Sequence, residues 1–137
     1  MPASIMRQSK DFFTYNAVFS ALANGASATQ NILIEASSDF VWQKSEYFAD
    51  IALAAQTDST RVIPLVTVLI VDSGSGRQIM DVPVPISSLF GDGKYPYILP
   101  LPKVYSARSN IAITVQNFSA ATTYNLRLSL TGMKVFG

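Results

Sequence analysis

Side chains on an extended chain point to opposite faces with period two, so a long alternation of apolar and polar residues fixes a half-buried strand. The stretch from Ser109 to Phe136 holds that period more cleanly than any other part of the chain. Ile111, Ile113 and Val115 fall on one face, with Ala112, Thr114 and Gln116 on the other. After the turn Asn117-Phe118-Ser119-Ala120-Ala121, Tyr124, Leu126, Leu128 and Leu130 face one way and Asn125, Arg127, Ser129 and Thr131 the other. This is an antiparallel hairpin with one face on a core. At Thr131-Gly132 the apolar phase slips by one residue, because Met133 and Val135 carry it on. An extra residue at a glycine predicts a β-bulge there, keeping Met133 and Val135 on the core face.

The remaining strands are read around this hairpin. Met1 to Asp11 is a polar arm and Phe12 to Leu22 the first strand, followed by Gln30–Ala36 and Phe40–Ala49. Ala21-Leu22-Ala23 has the spacing of a signal-cleavage site, but Asp11, Tyr15, Asn16 and Ser20 interrupt the apolar run before it. Phe48, Ile51, Ala52 and Ala55 also fit a helical period, so Asp50–Ala55 is open to a helical turn. Val62–Val71 is apolar on both faces, which predicts a central strand or one packed by a second chain. Asp72-Ser73-Gly74-Ser75-Gly76 turns the chain into a short strand, Arg77–Val82. Six of the seven prolines lie between Pro64 and Pro102, so Val82–Pro85 and Leu99–Pro102 are edges or extended loops. With Tyr97–Leu101, Asn110–Gln116 and Thr122–Phe136 the count is about eight strands. That predicts an all-β, antiparallel two-sheet sandwich of jelly-roll type, one domain over residues 1–137, with an immunoglobulin-like sandwich as the alternative.

Composition narrows the function. Cysteine and histidine are both absent, which removes thiolate chemistry, the commonest metal ligand and the commonest general base. No two acids sit together on one recognisable strand or loop, so an enzyme is not expected, nor a cofactor. Asp72-Ser73-Gly74-Ser75-Gly76 lacks the lysine of a phosphate loop and the later acids of a calcium loop. No stretch is long and apolar enough to cross a membrane as a helix. Up to Asp92 there are five basic and nine acidic residues; after it come Lys94, Lys103, Arg108, Arg127 and Lys134 with no acid. These cations are widely spaced, which argues against a nucleic-acid surface.

Only 14% of residues are charged and 49% are hydrophobic, so partner protein is expected to cover part of the surface. With the two-sided apolar strand, this points to a homodimer. The loop Leu89-Phe90-Gly91-Asp92-Gly93-Lys94-Tyr95-Pro96-Tyr97 is turn-rich and aromatic. Its aromatics either plug one end of the sandwich or anchor a contact with sugar or protein. The candidate partner-binding residues are Met6, Arg7 and Phe12 near the arm and Phe90, Tyr95 and Tyr97 in the loop. Asn117-Phe118-Ser119 has the spacing of a glycosylation acceptor.

Several longer strings carry a family resemblance. They are Tyr47-Phe48-Ala49-Asp50-Ile51-Ala52, Ala55-Gln56-Thr57-Asp58-Ser59-Thr60-Arg61, Asp72 to Arg77, Leu89 to Gly93, and Asn117 to Asn125. Together they span about Phe40 to Phe136, and they resemble small structural proteins of tailed phages and prophages, among them the jelly-roll cement (decoration) proteins of phage heads. The resemblance implies a virion component on the capsid exterior, a dimer that bridges neighbouring major capsid proteins. A carbohydrate- or receptor-binding sandwich of a tail or fibre, using Trp42, Tyr95 or Tyr97, is the competing expectation.

Overall fold

A computed structural model describes residues 9–52, 62–92 and 94–136. Among these residues nine strands form, β1 (Ser9–Leu22), β2 (Ser27–Leu33), β3 (Asp39–Ile51), β4 (Val66–Asp72), β5 (Arg77–Gln78), β6 (Val84–Pro85), β7 (Tyr97–Tyr105), β8 (Asn110–Asn117) and β9 (Tyr124–Phe136). They make two antiparallel sheets, one ordered β1-β9-β3-β7 and the other β2-β8-β4-β5, with β6 also paired to β4. The connections β1–β2 and β8–β9 each cross from one sheet to the other, which corrects the antiparallel hairpin expected over Ser109–Phe136. β8 pairs with β2 and β4, and β9 with β1 and β3, so β2 lies beside β8 as β1 lies beside β9. This is the jelly-roll order, with β5 and β6 acting as one interrupted strand. The expected sandwich is therefore what forms. One helical turn, α1 (Ile86–Leu89), stands where only loop was expected.

The core is built by alternation. Tyr15, Ala17 and Phe19 of β1, Leu126, Leu128 and Leu130 of β9, and Phe40 and Trp42 of β3 face Val66, Val68 and Ile70 of β4 and Ile111, Ile113 and Val115 of β8. Trp42 stacks on Tyr105 with ring centroids 6.5 Å apart. β4 alternates: Thr67, Leu69 and Val71 are only half-buried, and Leu65 outside the strand is exposed. Of the two expectations for this run, a central strand or one packed by a second chain, the first is what forms: β4 is interior to its sheet, between β8 and β5/β6.

The bulge lies on the other strand. Burial along β9 alternates from Tyr124 to Lys134 except at Thr131, which is buried as well, and the register with β1 is continuous from Ser9↔Phe136 to Phe19↔Leu126. The shift falls in β3, where Trp42 pairs with Gly132 but Lys44 pairs with Thr131, leaving Gln43 as the extra residue. The Trp42 indole N–H closes the kink by donating to the Lys44 carbonyl at 2.9 Å. Gly132 is needed because the bulged strand presses on it: a Cβ there would overlap the Val41 carbonyl oxygen. Met133 and Val135 therefore lie on the outer face, and Gly132 and Lys134 on the core side.

Other boundaries move for traceable reasons. β1 begins at Ser9, inside the expected arm, because the long β9 supplies Phe136, Val135 and Lys134 as partners for Ser9, Lys10 and Asp11. Asp50 and Ile51 belong to β3, so the helical alternative fails for them; residues 53–55 lie outside those described. The strand expected over Arg77–Val82 pairs only at Arg77 and Gln78. β7 extends to Tyr105 but carries a wide bulge, since Trp42 pairs with Lys103 and Lys44 already with Ile98. Leu99-Pro100-Leu101-Pro102 occupy that bulge, as prolines that cannot donate to a ladder require.

Candidate docking surface

Four residues, one from each strand of the β1-β9-β3-β7 sheet, line up across its outer face. Phe12 is opposite Met133, Met133 opposite Val41, and Val41 opposite Val104. At the usual spacing between strands the row is about 14 Å wide. Phe12 is 75% exposed and Val104 58%, while Met133 and Val41 are half-buried between them. On one side the next row is Lys10, Val135 and Asp39. On the other it is Thr14, Thr131, Lys44 and Ile98, with the two threonine hydroxyls 3.1 Å apart. Ile98 and Leu101 of the β7 bulge are also exposed, extending the apolar surface at that edge. Large apolar side chains grouped on an exposed face mark a contact surface more often than scattered ones do.

The candidate residues separate. Met6 and Arg7 lie outside the described residues. Phe12 is on the surface, at the β1 end of the row. Tyr95 is exposed at 71%, its ring 5.4 Å from the Lys94 ammonium, and Tyr97 is half-buried at the start of β7. Phe12 and Tyr97 thus sit on opposite edge strands of one sheet and form no common site. Phe90 is corrected: at 1% exposure it is a core residue, plugging one end of the sandwich beside Ile86. Its position follows from the α1 turn, whose Ile86 carbonyl accepts the Phe90 N–H at 2.8 Å. Val41, Met133, Val104 and Ile98 were missed, Met133 because the misplaced bulge put it in the core.

A second feature is a groove of about 580 Å³ beside the loop after α1, lined by Glu46, Tyr47, Phe48, Val62, Asp92 and Lys94 among others. Gly91 fastens that loop to β3, its carbonyl accepting the Tyr47 N–H at 2.7 Å and its N–H donating to the Ser45 carbonyl at 3.2 Å. Asp92 Oδ1 accepts the backbone N–H groups of Lys94 and Tyr95 at 3.0 and 2.7 Å. Burial, and then the Asp92 carboxylate, push the Tyr47 phenol above its ordinary pKa. Among the described residues no three acidic side chains come together as a metal site.

The strings that carry the family resemblance do structural work where they are described. Asn117 is fully buried; its Nδ2 donates to the carbonyls of Leu22 and Thr122 at 3.0 and 2.8 Å, and its Oδ1 accepts the Ser119 N–H at 2.8 Å. A side chain so enclosed cannot receive a glycan in the folded protein, so the acceptor spacing of Asn117-Phe118-Ser119 serves the turn instead. In the Asp72–Arg77 turn, Asp72 accepts the Gly74 N–H on Oδ1 and the Gly76 N–H on its carbonyl, with Gly76 at φ +72°.

No protein-family model matches the chain, and no curated protein matches it. Among solved structures it is similar to the VP2 subviral particle of infectious bursal disease virus, at 11% identity and a TM-score of 0.37. The alignment covers 94% of this chain and 36% of that one, so this chain spans about a third of its neighbour's length; a likeness this distant carries no argument about function.

Proposed function

We propose that the protein is a non-enzymatic virion component that binds the outside of a phage capsid and bridges neighbouring major capsid proteins, as a cement protein does. The observation that carries the docking part of this reading is the row Phe12–Met133–Val41–Val104, an apolar strip on the outer face of a rigid sheet. The phage part rests on the family resemblance of the strings between Tyr47 and Asn125. A sandwich of this kind adds contact area to two neighbours across a seam while changing neither fold, and a homodimer doubles the contacts. A standard specific interface buries about 1,600 Å² in total, within reach of a sheet face with its flanking loops.

The test is co-sedimentation with shells lacking this protein. Wild type should bind and raise the shells' resistance to heat. Met133→Ser with Val104→Ser, both on the outer face, should bind at least tenfold more weakly while keeping the wild-type unfolding midpoint. Deletion of residues 1–8, which leaves β1 whole, measures the arm separately. Failure of wild type to bind shells overturns the proposal. One observation favours a second reading, a glycan- or receptor-binding sandwich: the groove offers Glu46, Asp92 and Lys94 beside Tyr47 and Phe48. Saturation-transfer NMR with surface glycans of the host separates the two, since that reading requires binding by the isolated protein.

A further inference from the structure

A sheet edge exposes unpaired N–H and C=O groups, and proteins usually protect such edges with proline, bulges, short strands or charge. Three of the edges here are protected or short. β7 has Pro100, Pro102 and its wide bulge. β5 and β6 are two residues each, β6 including Pro85, and β2 is seven residues long. β1 differs. It runs for 14 residues without proline, and its register with β9 is regular from Ser9 to Phe19. Among the described residues, no backbone hydrogen bond reaches Ser9–Ser20 from any strand except β9. The half from Tyr15 onward is flanked by the end of β2, where the Glu35 N–H donates to the Tyr15 hydroxyl at 3.3 Å. The half from Ser9 to Phe12 is exposed throughout.

We propose that this open half of β1 pairs antiparallel with the same segment of a second copy, with Phe12 on the two-fold axis. The inference deepens the functional reading by naming the surface that joins two copies, and it rests on that reading only for the expectation of a dimer. The segment is self-complementary in this register. Phe12 meets its own copy on the outer face, Lys10 lies opposite Thr14, and on the inner face Asp11 lies opposite Phe13, so no like charges oppose each other. Lys10 is also diagonal to the partner's Phe12, within reach of its ring face. The pairing joins the two apolar rows end to end. Val104, Val41, Met133 and Phe12 of one copy then run on through Phe12, Met133, Val41 and Val104 of the other, across eight strands of one continuous sheet. A pairing over the five residues Lys10–Thr14 is a small interface, so the dimer should dissociate measurably on dilution.

Sedimentation velocity of the full chain across a concentration series tests this. Wild type should move from monomer to dimer, and Phe12→Lys should raise the dissociation constant at least tenfold with an unchanged unfolding midpoint. The chain has no cysteine, so single cysteines report the register cleanly. Phe12→Cys should oxidise to a covalent dimer, while Val18→Cys and Val104→Cys should not. A wild type that stays monomeric at every concentration overturns the inference. So does a dimer unaffected by Phe12→Lys, a Val104→Cys variant that cross-links as readily, or a dimer lost only when residues 1–8 are removed. Shell binding is scored separately, on wild type alone because Phe12 belongs to the docking row: wild-type dimers that bind shells support both readings. Dimers of wild type that ignore shells support the edge and remove the shell reading.

Discussion

The carbonyl oxygen of Val41 occupies the space that the Cβ of any residue other than glycine at position 132 would need. That oxygen, the Val41 carbonyl carbon and the Trp42 Cα, which crowd this point, all belong to backbone in a strand held on either side by β9 and β7, so none can swing away. Gly132→Ala is expected to cost about 3 kcal/mol or more, at the upper end of overpacking in a rigid interior, or to prevent folding. Gly74→Ala is the control, because its nearest neighbour is the Asp72 side chain at 3.5 Å in an exposed turn. Urea denaturation of the two variants should separate them clearly.

Gly132 also shows how far the sequence could be read. Eight of the nine strands among the described residues were expected, β6 being the exception, and alternation gave the buried face of β8 and of β9 as far as Leu130, because period two is imposed by the backbone itself. The glycine did signal a bulge, but a Cβ-free position relieves pressure from the facing strand as readily as from its own. Period alone cannot say which of two paired strands holds the extra residue. Val41-Trp42-Gln43-Lys44 contained the complementary signal, since Phe40 and Trp42 share a face that Ser45 and Ala49 continue only if one residue is skipped. Assigning the slip to β9 put Met133 and Val135 inside and hid the docking row, whose members lie on four strands distant in sequence. Phe90 was misread for a related reason: whether an aromatic in a turn-rich loop points in or out depends on the four-residue α1 turn, which has no periodicity to detect.

Lys134 follows from the same phase. It lies on the core side with its side chain 8% exposed, 2.8 Å from Glu35 Oε2 and 3.5 Å from the centre of the Phe13 ring. Glu35 is half exposed, so water screens its share of the attraction, and Glu35→Gln should cost less than about 1 kcal/mol. Lys134→Ala removes the ring contact and the buried stem as well, and should cost about 2 kcal/mol. Lys134→Met, which keeps the volume without the charge, should recover most of that loss. Thermal unfolding of the three variants checks the order.

Tyr105 is buried against Trp42, and among the described residues its hydroxyl has no hydrogen-bond partner. Tyr105→Phe should therefore stabilise the fold by about 1 kcal/mol, since a buried polar atom without a partner is removed and the ring remains. Burial, and secondarily Asp72, raise its pKa above the ordinary 10.0. A folded pKa above the unfolded one means the unfolded chain releases its proton first as pH rises. Stability from this group is thus whole below about pH 10 and declines above it. The advantage of Tyr105→Phe over wild type should widen between pH 9 and pH 11, as guanidinium titrations at a series of pH values would register.

Phe90 and Tyr95 are five residues apart in one loop and should behave as opposites. Phe90 is closed off by the core, so Phe90→Ala removes a large ring from a packed site and should cost about 3–5 kcal/mol. Tyr95 is exposed, with the Lys94 ammonium 5.4 Å from its ring, and Tyr95→Ala should change stability by less than about 0.5 kcal/mol. Any loss of partner binding in the first variant then reports unfolding, whereas the same loss in the second reports a contact. Measuring the unfolding midpoint and shell binding on the same preparations separates the two causes. If Phe90→Ala kept the wild-type midpoint, the placement of Phe90 inside the sandwich would be wrong, and the loop would return as a candidate contact surface.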